Sequence, residues 1–338
     1  MAATIEDMMK QYTILLSAPY MLTYTDRFVP ILEQLGCDVI IPEVHERLSQ
    51  DEILAYAGKF DGTICGDDRY TSDVIKKCAP RLKVISKWGT GIDSIDKEAA
   101  DALDIPVFRT TNAFTVPVSD SVLAYMLAFS RKQPWLDKNI KSGGWEKIPG
   151  KSLMESTLGV IGVGYIGKEV LRKARAFNMR LLANDIKPIP QALVDELGIE
   201  VVGLEELLKR SDFVSVNCDL NPTSEHLINS ETLSLMKPDA VLINTARGPI
   251  IDEQALISCL KANSIAGAAL DVFEDEPLPS DSPLLAMDHV ILAPHNSNSS
   301  PMAWEAVHWN TIRNLLVGLK MPLDSFEIIK KENMRGFD

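Results

Sequence analysis

Cysteine is scarce in this sequence, and the few cysteines form no recognisable pattern. Their number is odd, and none lies near another cysteine or a histidine at the spacing of a metal site. A disulfide framework of the kind found in small secreted proteins is therefore not expected. We predict reduced thiols, a cytoplasmic location and no bound metal. The five residues are Cys37, Cys65, Cys78, Cys218 and Cys259.

Long apolar runs and an excess of positive charge are also missing. No uncharged apolar run approaches the ~20 residues of a membrane span, and the N-terminal segment carries acid where a signal peptide carries base. Lys and Arg number 34 against 47 Asp and Glu, so the formal net charge is −13. Such a surface repels phosphate backbones and anionic lipid. Nucleic acid and membrane are not expected as partners, whereas a local basic pocket for a small anion stays open.

What the chain does have is the pattern of an α/β protein. It is 338 residues long and 46% hydrophobic, which suits two domains of roughly 150 residues each. Short β-branched runs alternate with longer helical stretches, as in βαβ units. We predict two doubly wound parallel-sheet lobes, in which strands covered on both faces are apolar throughout. The predicted strands are 13–16, 39–41, 62–64, 83–85, 106–108, 157–161, 180–183, 213–216, 240–243, 265–270 and 289–292.

Two long helices and two irregular segments complete the predicted order. A helix is predicted over 117–131, because apolar residues recur on one face, and a polar loop over 132–150 follows it. A final helix is predicted over 302–319. A tail that contains Phe326-Glu327-Ile328-Ile329 follows it.

A glycine motif follows the strand predicted at 157–161. Gly162, Gly164 and Gly167 form G-x-G-x-x-G between that strand and a helical run, as in dinucleotide-binding proteins. The helix N-terminus offers N–H groups to a pyrophosphate. Asp185 follows the next strand, where an acid accepts bonds from ribose hydroxyls and favours NAD over NADP, although Lys187 lies close by. The glycines alone would also suit a packing turn, but together with Asp185 they predict bound NAD.

Three ionisable side chains follow the last predicted strands. Taken singly, Arg247 could be a surface cation, Glu276 part of a solvated turn and His295 a structural histidine. Taken together they match the needs of a 2-hydroxy or 2-keto acid. Arginine offers a planar fork to a carboxylate, and histidine exchanges the hydroxyl proton. A carboxylate beside the imidazole orients it and favours its protonated form.

These motifs resemble the D-isomer-specific 2-hydroxyacid dehydrogenase family, in the branch similar to D-3-phosphoglycerate dehydrogenase. The resemblance covers about residues 12–318. It is carried by the glycine motif with Asp185, by N-T-A-R-G at 244–248, by D-V-F-E-D-E-P at 271–277 and by A-P-H at 293–295.

The resemblance implies a role for each of these residues. Arg247, Glu276 (not Glu274) and His295 would be catalytic. It also implies a homodimer, a flavodoxin-like substrate-binding domain of residues 1–111 and 302–338, and a Rossmann NAD-binding domain of residues 112–301. Backbone N–H groups at Thr90 and Gly91 would hold the substrate carboxylate. The cofactor-binding residues would be Gly162, Gly164, Tyr165, Ile166, Gly167, Asp185, Thr245, Ala246 and Asp271. The substrate-binding residues would be Lys87, Gly89, Thr90, Gly91 and Arg69.

Several positions depart from the family pattern and leave the substrate open. Asn217-Cys218-Asp219 stands where relatives carry a different motif, and Lys87 replaces the usual arginine of the substrate loop. Arg69 or Lys87 could receive a phosphate, or each could be a plain surface cation. Phosphoglycerate dehydrogenase activity is the first expectation and glyoxylate or hydroxypyruvate reduction the second.

Two expectations from other classes remain beside the dehydrogenase. An NAD(H)-sensing, corepressor-like binding protein would share the fold, and fold alone does not decide between catalysis and binding. An adenosylhomocysteinase-like hydrolase would need further substrate motifs, which the sequence lacks. The chain ends about 20 residues after the last predicted helix, so no regulatory domain with serine control is expected.

Overall fold

The computed structural model describes residues 11–334, which form two compact units. One unit takes in the described residues up to Ala113 and from Ser300 onward, and the other runs from Phe114 to Ser299. The domain boundaries predicted from the sequence, after residues 111 and 301, lie within two residues of these.

The strands and helices of the described residues are numbered in chain order. The strands are β1 (Tyr12–Leu16), β2 (Cys37–Ile40), β3 (Gly62–Cys65), β4 (Val84–Lys87), β5 (Val107–Phe108), β6 (Thr157–Ile161), β7 (Arg180–Asn184), β8 (Glu200–Val201), β9 (Phe213–Val216), β10 (Val241–Asn244), β11 (Gly267–Leu270) and β12 (Val290–Leu292). The α-helices are α1 (Pro19–Leu22), α2 (Thr25–Gln34), α3 (Gln50–Leu54), α4 (Ser72–Cys78), α5 (Lys97–Asp101), α6 (Thr115–Arg131), α7 (Gln133–Lys141), α8 (Tyr165–Ala176), α9 (Gln191–Leu197), α10 (Leu204–Arg210), α11 (Ser230–Leu233), α12 (Glu253–Lys261), α13 (Pro301–Gly318) and α14 (Asp324–Asn333).

The first unit is built on a five-stranded parallel sheet in the order β2-β1-β3-β4-β5. This is the flavodoxin-like order, in which ligands bind beyond the strand carboxyl ends near the switch between β1 and β3. Helix α13 returns to this sheet from the far end of the chain. The Ser86 hydroxyl of β4 donates to the Thr311 carbonyl at 2.8 Å, and the Gly62 position of β3 lies against Leu315.

The second unit is built on a seven-stranded parallel sheet in the order β12-β11-β10-β9-β6-β7-β8. The chain starts in the middle at β6, builds outward to β8, and then crosses to β9 on the other side. This is the doubly wound Rossmann arrangement. The prediction of two such lobes is confirmed. The two-residue strand β8 is exposed and was not predicted.

The polar loop predicted after residue 131 is wrong, because the structure contains helix α7 there. Lys132 has a left-handed backbone (φ 57°), so α6 ends and α7 restarts in a new direction with Pro134 in its first turn. The Trp135 ring packs on Phe129 with centroids 5.1 Å apart, and its indole N–H donates to the Asp288 carbonyl at 2.8 Å. These contacts, one of them to a residue far along the chain, stabilise a helix whose own sequence is polar.

The tail after residue 319, for which no helix is predicted, contains helix α14. The Phe326 side chain is fully buried and meets the Trp309 ring with centroids 6.0 Å apart. At the other end of α14, the Arg27 guanidinium donates to the Asn333 carbonyl at 2.6 Å. No helix in the described part of the chain is both long and apolar enough to cross a membrane.

Replacing Phe326 tests whether this one ring anchors α14. Phe326→Ala is expected to lower the free energy of unfolding by about 3–5 kcal/mol, because the ring is fully buried. Urea denaturation measures the change. Ile328 on the same helix is 60% exposed, so Ile328→Ala is the matched control, expected within ~0.5 kcal/mol of the parent. Equal losses in the two variants would show that α14 is held by something other than Phe326.

Candidate active site

The glycine motif forms a tight turn between β6 and α8. Gly162 has φ 89°, and a Cβ there would lie 2.6 Å from the Cys218 backbone nitrogen, so only glycine fits. Gly164 is the N-cap of α8, and open space lies where its Cβ would be. Gly167 packs against the Gly162 carbonyl. The turn thus leaves the N-terminal N–H groups of a 12-residue helix open to a phosphate. Tyr165 and Ile166, also predicted to bind the cofactor, form the first residues of that helix.

The Asp185 carboxylate is held beside this turn. Asp185 directly follows β7, and its Oδ2 accepts from the Val163 N–H at 2.6 Å while Oδ1 accepts from the Lys187 N–H at 2.7 Å. A carboxylate oxygen can accept more than one hydrogen bond. The group is therefore oriented by the backbone and can still accept from a ribose diol.

Two buried side-chain oxygens near the same sheet edge are without partners among residues 11–334. One is Oδ1 of Asn217, which follows β9, and the other is Oγ1 of Thr245, which follows β10. The Asn217 amide is fixed by its Nδ2, which donates to the carbonyl and hydroxyl of Ser215 at 3.0 Å. Buried acceptors without donors are rare, and both follow strands at the carboxyl edge where a dinucleotide binds.

These features together fit a dinucleotide. The helix N–H groups at the turn can bind the pyrophosphate, and Asp185 can accept hydrogen bonds from a ribose. The unpaired oxygens of Asn217 and Thr245 can accept hydrogen bonds from a donor of the bound group. Sequence reasoning predicted Thr245 but left the Asn217 loop unassigned. The position of Asn217, directly after the strand across the switch point from β6, was the signal that could have found it.

The three predicted catalytic residues lie beyond three neighbouring strands. Arg247 follows β10, Glu276 lies on the loop after β11, and His295 follows β12. The Nδ1 atom of His295 lies 2.9 Å from Oε2 of Glu276. The other carboxylate oxygen, Oε1, accepts from the Phe273 N–H at 3.0 Å. The carboxylate therefore bridges its own loop and the imidazole.

Arg247 is tied to the same group of loops through its backbone. The Asn244 side chain donates to the Arg247 carbonyl at 2.9 Å. A Cβ at the next residue, Gly248, would overlap the Phe273 carbonyl, so the β10 loop lies directly on the β11 loop. With strands about 4.8 Å apart, β10 and β12 are separated by roughly 10 Å. Arg247 therefore emerges at the same sheet edge as the His295–Glu276 pair.

The Asp271 side chain, which the sequence predicts to bind the cofactor, is anchored by two backbone N–H groups. Its side chain is 1% exposed, and its two oxygens accept from the N–H groups of Asn296 and Ser297 at 2.8 and 2.9 Å. Its carbonyl accepts from the His295 N–H at 2.7 Å. His295 has a left-handed backbone (φ 50°), a conformation that costs roughly 1–3 kcal/mol. Asp271 therefore fixes the strained residue that presents the imidazole. The backbone carbonyl of Ala246, another residue predicted to bind the cofactor, accepts from Arg247 Nη1 at 2.8 Å.

Glu274, which the sequence analysis set aside, is engaged elsewhere. Its Oε1 lies 3.0 Å from Nε2 of His226 and accepts from the Glu253 N–H at 3.2 Å. This geometry distinguishes it from Glu276, whose carboxylate meets His295. No group of three or more side chains suited to a metal ion occurs within the described residues.

The predicted substrate loop of the first unit lies at the carboxyl end of β4. The Lys87 side chain is buried and its Nζ pairs with Asp67 at 2.9 Å. Gly89 has φ 125°, and the loop is tied to β5 by Thr90, whose hydroxyl donates to the Thr110 carbonyl at 2.8 Å. The half-buried Gly91 follows. The loop is therefore rigidly held, and its only lysine already has a counter-ion.

The loop after β3 carries Arg69, which is exposed. Its neighbour Asp68 is fully buried, accepts from the Ser17 hydroxyl and the Leu48 N–H at 2.6 Å, and thereby ties the β3 loop to the end of β1. Burial raises the pKa of the Asp68 carboxyl. Sequence reasoning missed this residue, since an acid in a short polar loop gives no sign of burial.

Comparison with known proteins gives the same family as the motifs. Residues 123–297 match the model of the "D-isomer specific 2-hydroxyacid dehydrogenase, NAD binding domain". The chain is 40% identical over 282 residues to a D-3-phosphoglycerate dehydrogenase of Methanocaldococcus jannaschii, covering 82% of this chain and 52% of that protein. It is 37% identical over 292 residues to a glyoxylate reductase of Thermofilum pendens, covering 84% and 86%.

A solved structure agrees with these relatives. The D-lactate dehydrogenase of Aquifex aeolicus, complexed with NAD and lactic acid, superimposes with a TM-score of 0.80 at 27% identity, covering 94% of this chain and 98% of that one. The chain spans about half of the length of the phosphoglycerate dehydrogenase that it matches. With an NAD-binding domain matched over 123–297 and the loops of Arg247, Glu276 and His295 at one sheet edge, the chain belongs to the D-isomer specific 2-hydroxyacid dehydrogenase family.

Proposed function

We propose that this protein is an NAD-dependent oxidoreductase that interconverts a 2-hydroxy acid and the corresponding 2-keto acid. The observation that carries the proposal is the 2.9 Å contact between His295 Nδ1 and Glu276 Oε2, formed beside the loop of Arg247. The dinucleotide features of the β6–α8 turn supply the second half of the argument. NAD, when bound, takes up or delivers the hydride at C2 of the acid.

His295 is the group that moves the proton in this proposal. Its Nδ1–H donates to Glu276, so Nε2 is the ring nitrogen that meets the substrate hydroxyl. In the oxidation direction Nε2 accepts the hydroxyl proton, and the carboxylate stabilises the imidazolium that forms. In the reduction direction the same proton returns to the carbonyl oxygen. Glu276 keeps the ring oriented throughout, since its other oxygen is fixed by the Phe273 N–H.

Arg247 binds the carboxylate of the acid in this proposal. A guanidinium fork matches two carboxylate oxygens and fixes the orientation of C2. The backbone N–H groups of Thr90 and Gly91 are the other proposed carboxylate ligands, with Gly89 permitting the turn. Binding through a carboxylate and a proton donor selects 2-keto acids over simple ketones.

Two candidates are proposed for the identity of the acid. D-3-phosphoglycerate is our first candidate, supported by the 40% identical relative and by the exposed cation Arg69 near the end of β3. Glyoxylate or hydroxypyruvate is the second, supported by the relatives named glyoxylate reductase and by the ion pair that neutralises Lys87. A corepressor-like NAD(H)-sensing protein stays the alternative from another class.

We also propose that the protein is a homodimer located in the cytoplasm. Segment 116–154 of the second unit exposes Trp145 (84%), Met154 (61%), Val116 (54%) and Ile140 (51%). Exposed apolar side chains concentrated in one segment are typical of a protein–protein contact. The five cysteines are unpaired, which suits a reducing compartment.

Purified protein is expected to oxidise NADH with members of a 2-keto acid panel: phosphohydroxypyruvate, hydroxypyruvate, glyoxylate and pyruvate. His295→Ala is expected to lower turnover by about 10²–10⁴, because the proton donor is lost, while the NADH Kd stays unchanged. Steady-state absorbance and NADH fluorescence titration measure the two quantities. His45→Ala, which changes an exposed histidine of the first unit, is the control. NADH binding without turnover of any acid would instead favour the corepressor-like alternative.

Asp185→Asn tests the cofactor preference without removing the acceptor for the Val163 N–H. Loss of the negative charge is expected to raise the NADPH:NADH ratio of kcat/KM by about tenfold, because the repulsion of a 2′-phosphate disappears. The exposed Asp195 of α9 provides the control Asp195→Asn. An unchanged ratio in the Asp185 variant would remove that residue from cofactor selection.

Light scattering on the purified protein is expected to give twice the mass of one chain. Trp145→Ser is expected to shift the mass toward one chain, because it removes the most exposed ring of the proposed contact. Ile186→Ser, which changes a 78% exposed residue outside the segment, should leave the dimer intact. A monomeric parent protein would contradict the proposed homodimer.

A further inference from the structure

A cavity of about 550 Å³ in the first unit is lined by cations and amides. Arg109 enters from the end of β5, Arg313 from α13 and Lys330 from α14, with Asn314 and Trp309 at the wall. Its volume is that of a small-molecule site. None of the described residues that line it is Asp or Glu, although acids outnumber bases in the whole chain.

The positive charges of this cavity are poorly compensated. Arg313 Nε lies 4.0 Å from Glu327 Oε1, and both side chains are about half exposed, so the pair contributes little. Neither Arg109 nor Lys330 forms an ion pair with any of residues 11–334. Three cations around one cavity, with this exposed pair as the only ion pair they form among residues 11–334, repel one another, and a multiply charged anion would relieve that repulsion.

The packing of the fold sets the spacing of these cations. Helix α14 carries Lys330. The buried Phe326 packs this helix on Trp309 of α13, and Arg27 of α2 donates to the Asn333 carbonyl at its end. Arg313 lies four residues after Trp309 on α13, one turn along the same face. The packing of α13 and α14 therefore determines where Arg313 and Lys330 stand.

We propose that this cavity binds a small polyanion, a molecule with two or more phosphate or carboxylate groups. Arginine forks suit either group bidentately, and lysine adds a point charge. Neutral amide side chains supply further donors. The cavity lies wholly within the first unit and contains none of the residues assigned to the acid or to NAD.

The cavity is linked by hydrogen bonds to the loop of Gly89 and Thr90. Arg109 Nη1 donates to the Thr90 carbonyl at 3.3 Å, and the next residue, Thr110, donates its N–H to the Gly89 carbonyl at 2.8 Å. An anion that pairs with Arg109 competes with the Thr90 carbonyl for this guanidinium donor and so removes one of the bonds that hold the loop. The bound anion is therefore an effector that loosens the loop and raises the KM for the 2-keto acid. This second step rests on the proposed function, whereas binding of the anion does not.

Isothermal titration tests the site with pyrophosphate and, separately, with citrate, in saturating NAD so that the second unit's phosphate site is filled. One anion per chain is expected to bind the parent protein, with affinity that falls as salt rises. Arg313→Gln/Lys330→Gln is expected to weaken binding about tenfold, since two ion pairs are lost. Lys331→Gln/Lys76→Gln removes the same charge from exposed positions of the first unit outside the cavity and should bind like the parent.

Comparison of the two anions identifies the chemical class of the ligand, and comparison of the variants shows whether the ligand binds in the cavity. Binding of pyrophosphate alone identifies a phosphorylated ligand, and binding of citrate alone a polycarboxylate. No heat with either anion, or equal affinity in the lining and control variants, would overturn the site. In the activity assay, the anion is expected to raise the 2-keto acid KM at least about twofold in parent and control, but not in the lining variant. Variant-dependent binding with an unchanged KM would overturn the effector role alone.

Discussion

The geometry of the proposed reaction depends on the buried carboxylate of Asp271. Asp271 directly follows β11. Its side-chain oxygens accept hydrogen bonds from the N–H groups of Asn296 and Ser297, and its backbone carbonyl accepts from the N–H group of His295. These three bonds hold a non-glycine residue in a left-handed conformation. Because the backbone of His295 is fixed in this way, its Nδ1 atom is held 2.9 Å from Oε2 of Glu276.

Parallel strand order then gathers side chains that lie up to 48 residues apart in the chain. The carboxyl ends of β10, β11 and β12 share one edge, so residues that follow them are neighbours whatever the intervening helices do. Gly248 brings the first two loops into direct contact, since any Cβ there would overlap Phe273. The dinucleotide turn uses the same edge at β6, so both halves of the site arise from a single sheet.

Recognition of anions in this acidic protein depends on local geometry. A net charge of −13 repels anions at long range, but screening limits that repulsion to about 8–10 Å at physiological salt. Within that distance, the helix N-terminus at Tyr165, the Arg247 guanidinium and the cavity of Arg313 and Lys330 each present hydrogen-bond donors to an anion. Lys87 is the opposite case, because Asp67 already satisfies it.

The sequence by itself determined the two parallel-sheet lobes, the glycine turn and the family, since periodicity and motif spacing are local and the strands are uniformly apolar. It did not determine helices α7 and α14, whose stability comes from the Trp135 bond to the Asp288 carbonyl and from Phe326 packing on Trp309. Nor did it reveal that Asp271 supports His295, that Asp68 is buried, or that Asn217 has an unpaired oxygen. Only the tertiary structure decided these, because burial and hydrogen-bond partners depend on residues far apart in the chain.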